Sequence, residues 1–406
     1  MQTRLAAKYA NTEKGLTAES IIRNCVHCGF CNATCPTYQL LGDERDGPRG
    51  RIYLIKQVFE GVSPTRETQV HLDQCLTCRA CESTCPSGVE FAKLADIGRM
   101  EVDTLVNRPF VDRLIRKLLL QTVPYPATFR PLLKTANLFK PLLPQSVKAR
   151  LIPVQKTRPL IQQTHQRFML VLAGCVQSVS SPNTNQAAAN VLDKLQISLL
   201  EAPKAGCCGA LAQHLSAEEK ASNQMKQNID AWWPFIEHGC EAIVMTASGC
   251  GSTVKDYGYL LRNDKVYAEK AAKVSELSKD IAEVIAAEDL SVWQNLGVGS
   301  TIAFQSPCSL QHGQQLTGLV ETILQQLGFT TPVINDAHIC CGSAGSYSLL
   351  QPKLSQSLRL QKLSALEASQ PDKIVTANIG CQLYLSTPSR PVNHWIEMLA
   401  ERIEHG

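Results

Sequence analysis

Read only for its apolar and polar positions, the chain changes character twice. Within residues 14–107 apolar side chains recur at helical spacing. Ile52, Ile55, Val58 and Phe59 fall on one side of a helix, and Phe91, Leu94, Ala95, Val102 and Leu105 on one side of another. Thr17 is the expected N-cap of a helix running into Cys25. Asp46-Gly-Pro-Arg-Gly50 reads as a turn. Within residues 108–166, Phe110, Val111, Leu114, Ile115, Leu118 and Leu119 form one apolar helical stripe. Prolines at 124, 126, 131, 141, 144 and 153 break the rest of this segment into short pieces.

From residue 167 onward short apolar runs alternate with helical stretches. Strands are expected at 168–172, 197–200 and 242–245, with helices at 185–195 and 217–237. The pattern returns with strands at 302–304, 329–334 and 374–376 and helices at 318–327 and 353–368. Strands alternating with helices predict parallel sheets with right-handed crossovers. Such sheets present their ligand sites beyond the carboxyl ends of the strands. The expected organisation is a helical domain at 14–107, a linker at 108–166, and repeated α/β domains at 167–295 and 296–406.

Charge sharpens the middle segment. Residues 108–158 hold eleven Arg and Lys side chains, Lys148, Arg150 and Arg158 among them, and one acid, Asp112. A basic amphipathic stretch either lies on an anionic membrane surface or packs its apolar side on the protein as a linker. The whole chain carries only +4, which does not suggest nucleic acid. The first ten residues show no secretory or twin-arginine signal, and no run of eighteen apolar residues occurs. A cytoplasmic protein is expected.

Seventeen cysteines are many for such a protein unless they bind metal. Eight form two runs, Cys25, Cys28, Cys31 and Cys35 followed by Pro36, then Cys75, Cys78, Cys81 and Cys85 followed by Pro86. Each is C-x2-C-x2-C-x3-C-P, the run that holds cubane clusters in bacterial two-cluster ferredoxins. Three closely spaced thiolates wrap one cube, and the fourth, after a longer step, completes the other. The expected ligand sets are Cys25, Cys28, Cys31 and Cys85 for one [4Fe–4S] cluster and Cys35, Cys75, Cys78 and Cys81 for a second. Zinc sites favour paired C-x2-C motifs, and structural disulfides need an oxidising compartment.

A second cysteine pattern is duplicated. Cys175, Cys207 and Cys208 recur 133 residues later as Cys308, Cys340 and Cys341, and Cys250 recurs 131 residues later as Cys381. Each Cys-Cys pair is followed by Gly. Each repeat either binds an additional cluster or serves structure and partner docking. Cys240 has no counterpart and reads as a buried thiol. His312 and His338 read as local hydrogen-bonding groups. Trp232-Trp233 reads as helix packing. Arg45, Arg49 and Arg51, between the cluster motifs, either offset cluster charge or are solvated.

The doubled Cys…Cys-Cys-Gly…Cys pattern resembles the cysteine-rich domain of heterodisulfide reductase B subunits and of iron–sulfur subunits of flavin-dependent dehydrogenases. Fused to a two-cluster ferredoxin, it resembles the glycolate oxidase iron–sulfur subunits. The most specific stretches are 24–55, 75–88, 181–209, 246–258 and 376–382. The resemblance implies an electron-transfer subunit of a complex oxidising glycolate to glyoxylate, with D-lactate as a further substrate. It implies FAD-binding partner subunits, electron delivery to a quinone pool, and a peripheral place on the cytoplasmic face of the inner membrane. The chain shows no complete G-x-G-x-x-G of its own; Gly249-Cys-Gly251 and Gly297-Val-Gly299 are incomplete. No catalytic residue is therefore assigned to it. Subunits of L-lactate and glycerol 3-phosphate dehydrogenases are alternatives, as is a thiol–disulfide reductase. Against the last, Thr253 and Tyr384 stand where the heterodisulfide reductase repeat has a fifth cysteine.

Overall fold

The computed structural model describes residues 1–142, 153–156, 160 and 163–405. Pro144, Lys148, Arg150 and Arg158 of the basic segment lie outside the described residues. The chain forms two compact units. The first comprises Met1–Arg116, Gln213–Ser216 and His338–Lys362; the second comprises Lys117–Ala212, Ala217–Ala337 and Leu363–Gly406.

The first unit is helical. Its elements are α1 (Glu13–Asn24), α2 (Phe30–Ala33), α3 (Pro36–Leu41), α4 (Pro48–Phe59), α5 (Arg66–Asp73), α6 (Ala80–Ser83) and α7 (Phe91–Leu105). The first helix starts earlier than its sequence suggested. Thr12, not Thr17, is the N-cap, and its hydroxyl accepts from Gly15 N. Glu13 then sits in the first turn, where the helix dipole favours an acid. Pro36 and Pro48 occupy first turns, where a missing N–H costs nothing. Thr65 and Thr68 close a reciprocal capping box on α5. Ile22, Ile55, Phe59, Leu72, Leu94 and Val102 are buried in one core. Gly98 lets α7 lie against α4: a Cβ there would stand 2.6 Å from the Ile55 side chain.

The apolar stripe forms α8 (Phe110–Thr122). It buries none of its residues, and Phe110 and Val111 are 71% and 64% exposed. Arg108 and Arg116 anchor the helix through Asp73 and Asp112. After it comes α9 (Pro126–Leu138), which buries Phe129 and Leu133.

The second unit holds two all-parallel sheets. The strands are β1 (Arg167–Val171), β2 (Ile197–Glu201), β3 (Ile243–Met245), β4 (Ser278–Asp280), β5 (Ile302–Gln305), β6 (Lys373–Thr376) and β7 (Val392–His394). Their orders are β2-β1-β3-β4 and β5-β6-β7. In register, Phe168 faces Ser198, Leu170 faces Ile243, and Phe304 faces Val375. One core runs through both sheets, with Val171, Leu199, Val244, Phe304, Val375 and Trp395 all buried.

Two features of the sheets depart from the sequence reading. The strand expected at 329–334 shrinks to a single bridge, Thr301 to Thr330. Thr330 N donates to Ser300 O and Ile302 N to Thr330 O, but Pro332 has no N–H to continue the ladder. Conversely, β4 and β7 were not anticipated. Each is three residues long and pairs by parallel bonds with its neighbour despite a polar sequence. The N-terminal helices and the parallel α/β repeats otherwise match the expected fold class.

Candidate metal centres

The two cysteine loops are built alike. Residues two and four beyond the first cysteine take left-handed backbone: His27 (φ 58°) and Gly29 (φ 88°) in one, Thr77 (φ 53°) and Arg79 (φ 62°) in the other. Non-glycine residues adopt this conformation at a cost, and most readily where a site over-determines it. In the second loop Thr77 N donates to Cys75 Sγ at 3.4 Å.

The structure brings the thiols together in two groups. The Cys31 thiol is pushed up to about 11, first by burial and then by negative charge on Cys25, Cys28 and Cys85. Cys81 is pushed well above its ordinary value by burial, then by Cys78, Cys75 and Cys35. Cys85 thus sits with the first triplet and Cys35 with the second. Four thiols crowded in this way resist ionising together unless positive charge lies among them. Among the described residues, no three Cys, His, Asp or Glu side chains stand at single-ion spacing.

The first Cys-Cys-Gly repeat also gathers its cysteines. Cys175 follows β1, Cys207 and Cys208 follow β2, and Cys250 follows β3. Cys207 is pulled well below the ordinary thiol range by hydrogen bonds from Cys175 and Cys208, with the Lys220 ammonium contributing. Cys175 is correspondingly raised by its bond to Cys207, and Cys208 by Cys207 and Cys250. Asn228 braces the loop, accepting from Gly206 N at 2.7 Å and donating to the Cys207 carbonyl at 2.9 Å.

The cysteines of the second repeat divide between the units. Cys340 and Cys341, both buried, belong to the first; Cys308 and Cys381 belong to the second. Gly342 N donates to Cys340 Sγ at 3.4 Å, and Asn378 Nδ2 to Cys381 Sγ at 3.6 Å. The glycine after each Cys-Cys pair has a structural reason. Gly209 and Gly342 adopt φ of 92° and 88°, and a Cβ on Gly342 would lie 2.5 Å from the Ser355 carbonyl.

The remaining candidates are placed as follows. Cys240 is buried and donates to the Ala242 carbonyl at 3.1 Å. Trp232 is buried, and Trp233 donates to Glu237 at 2.8 Å. His312 lies in a π-helical turn, Ser309–Gly313. Arg45 pairs with Asp43 and Arg49 with Glu44, whereas Arg51 is 1% exposed. The sequence reading missed Thr37, Arg99 and Tyr347, all buried beside the Cys35 and Cys75 group. Arg99 carried a usable signal: it shares the apolar face of α7 with Leu94, Ala95 and Val102.

A 4Fe–4S dicluster domain model matches residues 21–89, and a cysteine-rich domain model matches 169–255 and 302–386. The chain is 53% identical over 407 residues to the glycolate oxidase iron–sulfur subunit of Escherichia coli (strain K12), covering 100% of both chains. It is 28% identical over 397 residues to a probable glycolate oxidase iron–sulfur subunit of Bacillus subtilis (strain 168), covering 90% of this chain and 89% of that one. It is 24% identical over 215 residues to lactate utilization protein A of Anoxybacillus flavithermus, covering 51% of this chain and 85% of that one.

Proposed function

The chain belongs to the glycolate oxidase iron–sulfur subunit family, and from that premise we propose that it is the electron-transfer subunit of a complex oxidising glycolate to glyoxylate. FAD-binding partner subunits take the hydride from the 2-hydroxy acid, glycolate or D-lactate. This chain relays the electrons singly toward a membrane quinone. The observation that carries this reading is the meeting of Cys85 with Cys25, Cys28 and Cys31, and of Cys35 with Cys75, Cys78 and Cys81.

In this reading those eight residues hold two [4Fe–4S] clusters, which, when bound, pass one electron at a time. The protein's own part is to shield and orient them. Ile22, Leu72 and Leu94 exclude water, and Thr77 N donates to the Cys75 sulfur. The linked thiols Cys175, Cys207, Cys208 and Cys250 support a further cluster in the first repeat. Cys308, Cys340, Cys341 and Cys381 are the matching candidates in the second. The domains divide at 107/108, 166/167 and 295/296. None of the helices among the described residues is long and apolar enough to cross a membrane. The exposed stripe of α8 fits a peripheral position on the cytoplasmic face of the inner membrane.

Reconstitution with iron and sulfide tests the reading. About eight irons or more per chain and two cubane signals by EPR are expected; fewer irons contradict it. Glycolate-dependent dye reduction requires the flavoprotein partners. Dye reduction by this chain alone would refute the division of labour.

A further inference from the structure

The two fourfold thiol groups differ in the charge that backs them. Beside Cys35 and Cys75 lie two arginines withdrawn from water. Arg51, 1% exposed, donates through Nε to the His71 carbonyl at 2.8 Å and through Nη1 to Thr37 Oγ1 at 3.1 Å. Thr37 Oγ1 lies 3.3 Å from Cys35 Sγ and 2.7 Å from the Asp46 carbonyl. Arg99, 7% exposed, donates through Nη2 to the Cys75 carbonyl at 2.6 Å and to the Leu72 carbonyl at 3.0 Å. Its Nη1 donates to Thr77 Oγ1 at 2.8 Å.

The other group is backed differently. Arg49 has a third of its side chain exposed and closes on Glu44 at 2.6 Å. The Met1 ammonium donates to the Cys25 carbonyl at 2.5 Å. Asn32 Oδ1, an acceptor, faces Cys31 Sγ at 3.9 Å.

Burying two guanidinium groups is costly unless close carboxylates cancel the charge. Here each guanidinium has one carboxylate at one nitrogen: Arg51 Nη2 donates to Asp46 Oδ1 at 3.5 Å, and Asp96 lies 3.9 Å from Arg99 Nη1. Asp46 is also engaged by His71 at 2.8 Å. Each carboxylate engages one nitrogen of its guanidinium, and the remaining donors reach the ligand loops, Arg51 at Thr37 and Arg99 at the Cys75 carbonyl. Once Cys35 is a thiolate, the Thr37 hydroxyl, polarised by Arg51, can turn its proton from the Asp46 carbonyl to sulfur. Reducing a cluster adds one negative charge, and hydrogen bonds and cations at its ligands favour that state.

We propose that Arg51, acting through Thr37, and Arg99, acting through the Cys75 loop, raise the reduction potential of the cluster held by Cys35, Cys75, Cys78 and Cys81. They are positioning residues that make this cluster an electron collector despite its burial. The inference rests on the two crossed ligand sets of the proposed function.

EPR-monitored potentiometry of the reconstituted full chain tests it. Cys78→Ser identifies the signal of this cluster. Thr37→Val keeps the shape and removes the hydroxyl; Arg99→Lys keeps the charge and loses the fork. Each is expected to lower this cluster's midpoint by about 59 mV, a tenfold change in the one-electron ratio, and to leave the other midpoint unmoved. Iron content stays at the level of the unsubstituted chain. Midpoints unchanged in Thr37→Val and Arg99→Lys, or both clusters shifting together, overturn the inference. Should Arg99→Lys lose iron, Thr37→Val decides alone. A native chain without two cubane signals rejects the ligand sets instead, which keeps the two failures distinct.

Discussion

The hydroxyl of Tyr347 donates to the carbonyl of Gln74 at 3.0 Å, one residue ahead of Cys75. Tyr347 is buried and follows Cys340-Cys341-Gly342 in the chain. Burial first, then the nearby Cys75 and Cys340 sulfurs, pushes its phenol far above the usual range. Its task is therefore to donate a proton in a hydrogen bond, not to titrate. Tyr347→Phe keeps the ring and removes the donor. A loss of about 0.5–1.5 kcal/mol in unfolding free energy is expected, with iron content retained. Denaturant titration measures it, and an unchanged midpoint would mean that the bond contributes nothing.

The crossed thiol groups make a prediction that simple adjacency would not. Cys35→Ser is expected to disturb the cluster of Cys75, Cys78 and Cys81, not that of its own run. Cys85→Ser is expected to disturb the cluster of Cys25, Cys28 and Cys31. Each variant loses up to about four irons per chain and one of the two EPR signals. If Cys35→Ser and Cys28→Ser extinguish the same signal, each run holds its own cluster and the crossed sets are wrong.

Much of this was legible because metal-binding loops and parallel strands leave periodic marks. The two C-x2-C-x2-C-x3-C-P runs marked the dicluster domain, and the 133-residue offset marked the repeated cysteine-rich domains with their parallel sheets. The elements that escaped reading had weak local signals. Strands β4 and β7 are three residues long and polar, and parallel pairing with β3 and β6 decides them. Thr330 looked like strand interior until Pro332 removed the next donor. Arg51 stayed open between offsetting cluster charge and solvation, and Arg99 was missed, because their partners, the carbonyls of His71, Leu72 and Cys75, lie 20 to 27 residues away in sequence. Backbone acceptors leave no mark in a sequence.

His394 makes the fold sensitive to acid. It is fully buried; Nε2 bonds the Thr246 carbonyl at 2.7 Å and Nδ1 accepts from Ile396 N at 3.2 Å. Protonation would set an N–H at Nδ1 against the Ile396 N–H. Burial, outweighing the carbonyls, lowers its pKa from 6.5 to about 4. The unfolded chain then binds the proton more readily between these values, so stability falls as pH drops from about 6.5 toward 4. Asp280 has the opposite slope. Burial raises it to about 7, so its contribution is present at low pH and is lost as pH rises from about 4 toward 7. Denaturant unfolding across pH 4–8 separates the two. His394→Gln should flatten the acid limb and Asp280→Asn the neutral one. An acid limb unchanged in His394→Gln would exclude His394 as its source.

On α8, Val111, Leu114, Ile115 and Leu118 share one exposed face, flanked by Arg113 and Lys117, while Asp112 and Arg116 occupy the anchored side. A stripe of this kind, apolar in the middle and basic at its margin, suits an anionic lipid surface. Each basic residue adds about 1 kcal/mol there, and each large apolar side chain adds about 1.5–3 kcal/mol on full burial. Ile115→Asp is expected to weaken co-sedimentation with phosphatidylglycerol vesicles by tenfold or more, since about 1.4 kcal/mol is a factor of ten. Iron content and both EPR signals should be unchanged, because no cluster ligand lies on this helix. Raising the salt should weaken the native chain's binding in the same direction. If Ile115→Asp binds vesicles as the native chain does but no longer assembles with the flavoprotein subunits, the stripe belongs to a protein partner, and the lipid assignment is wrong.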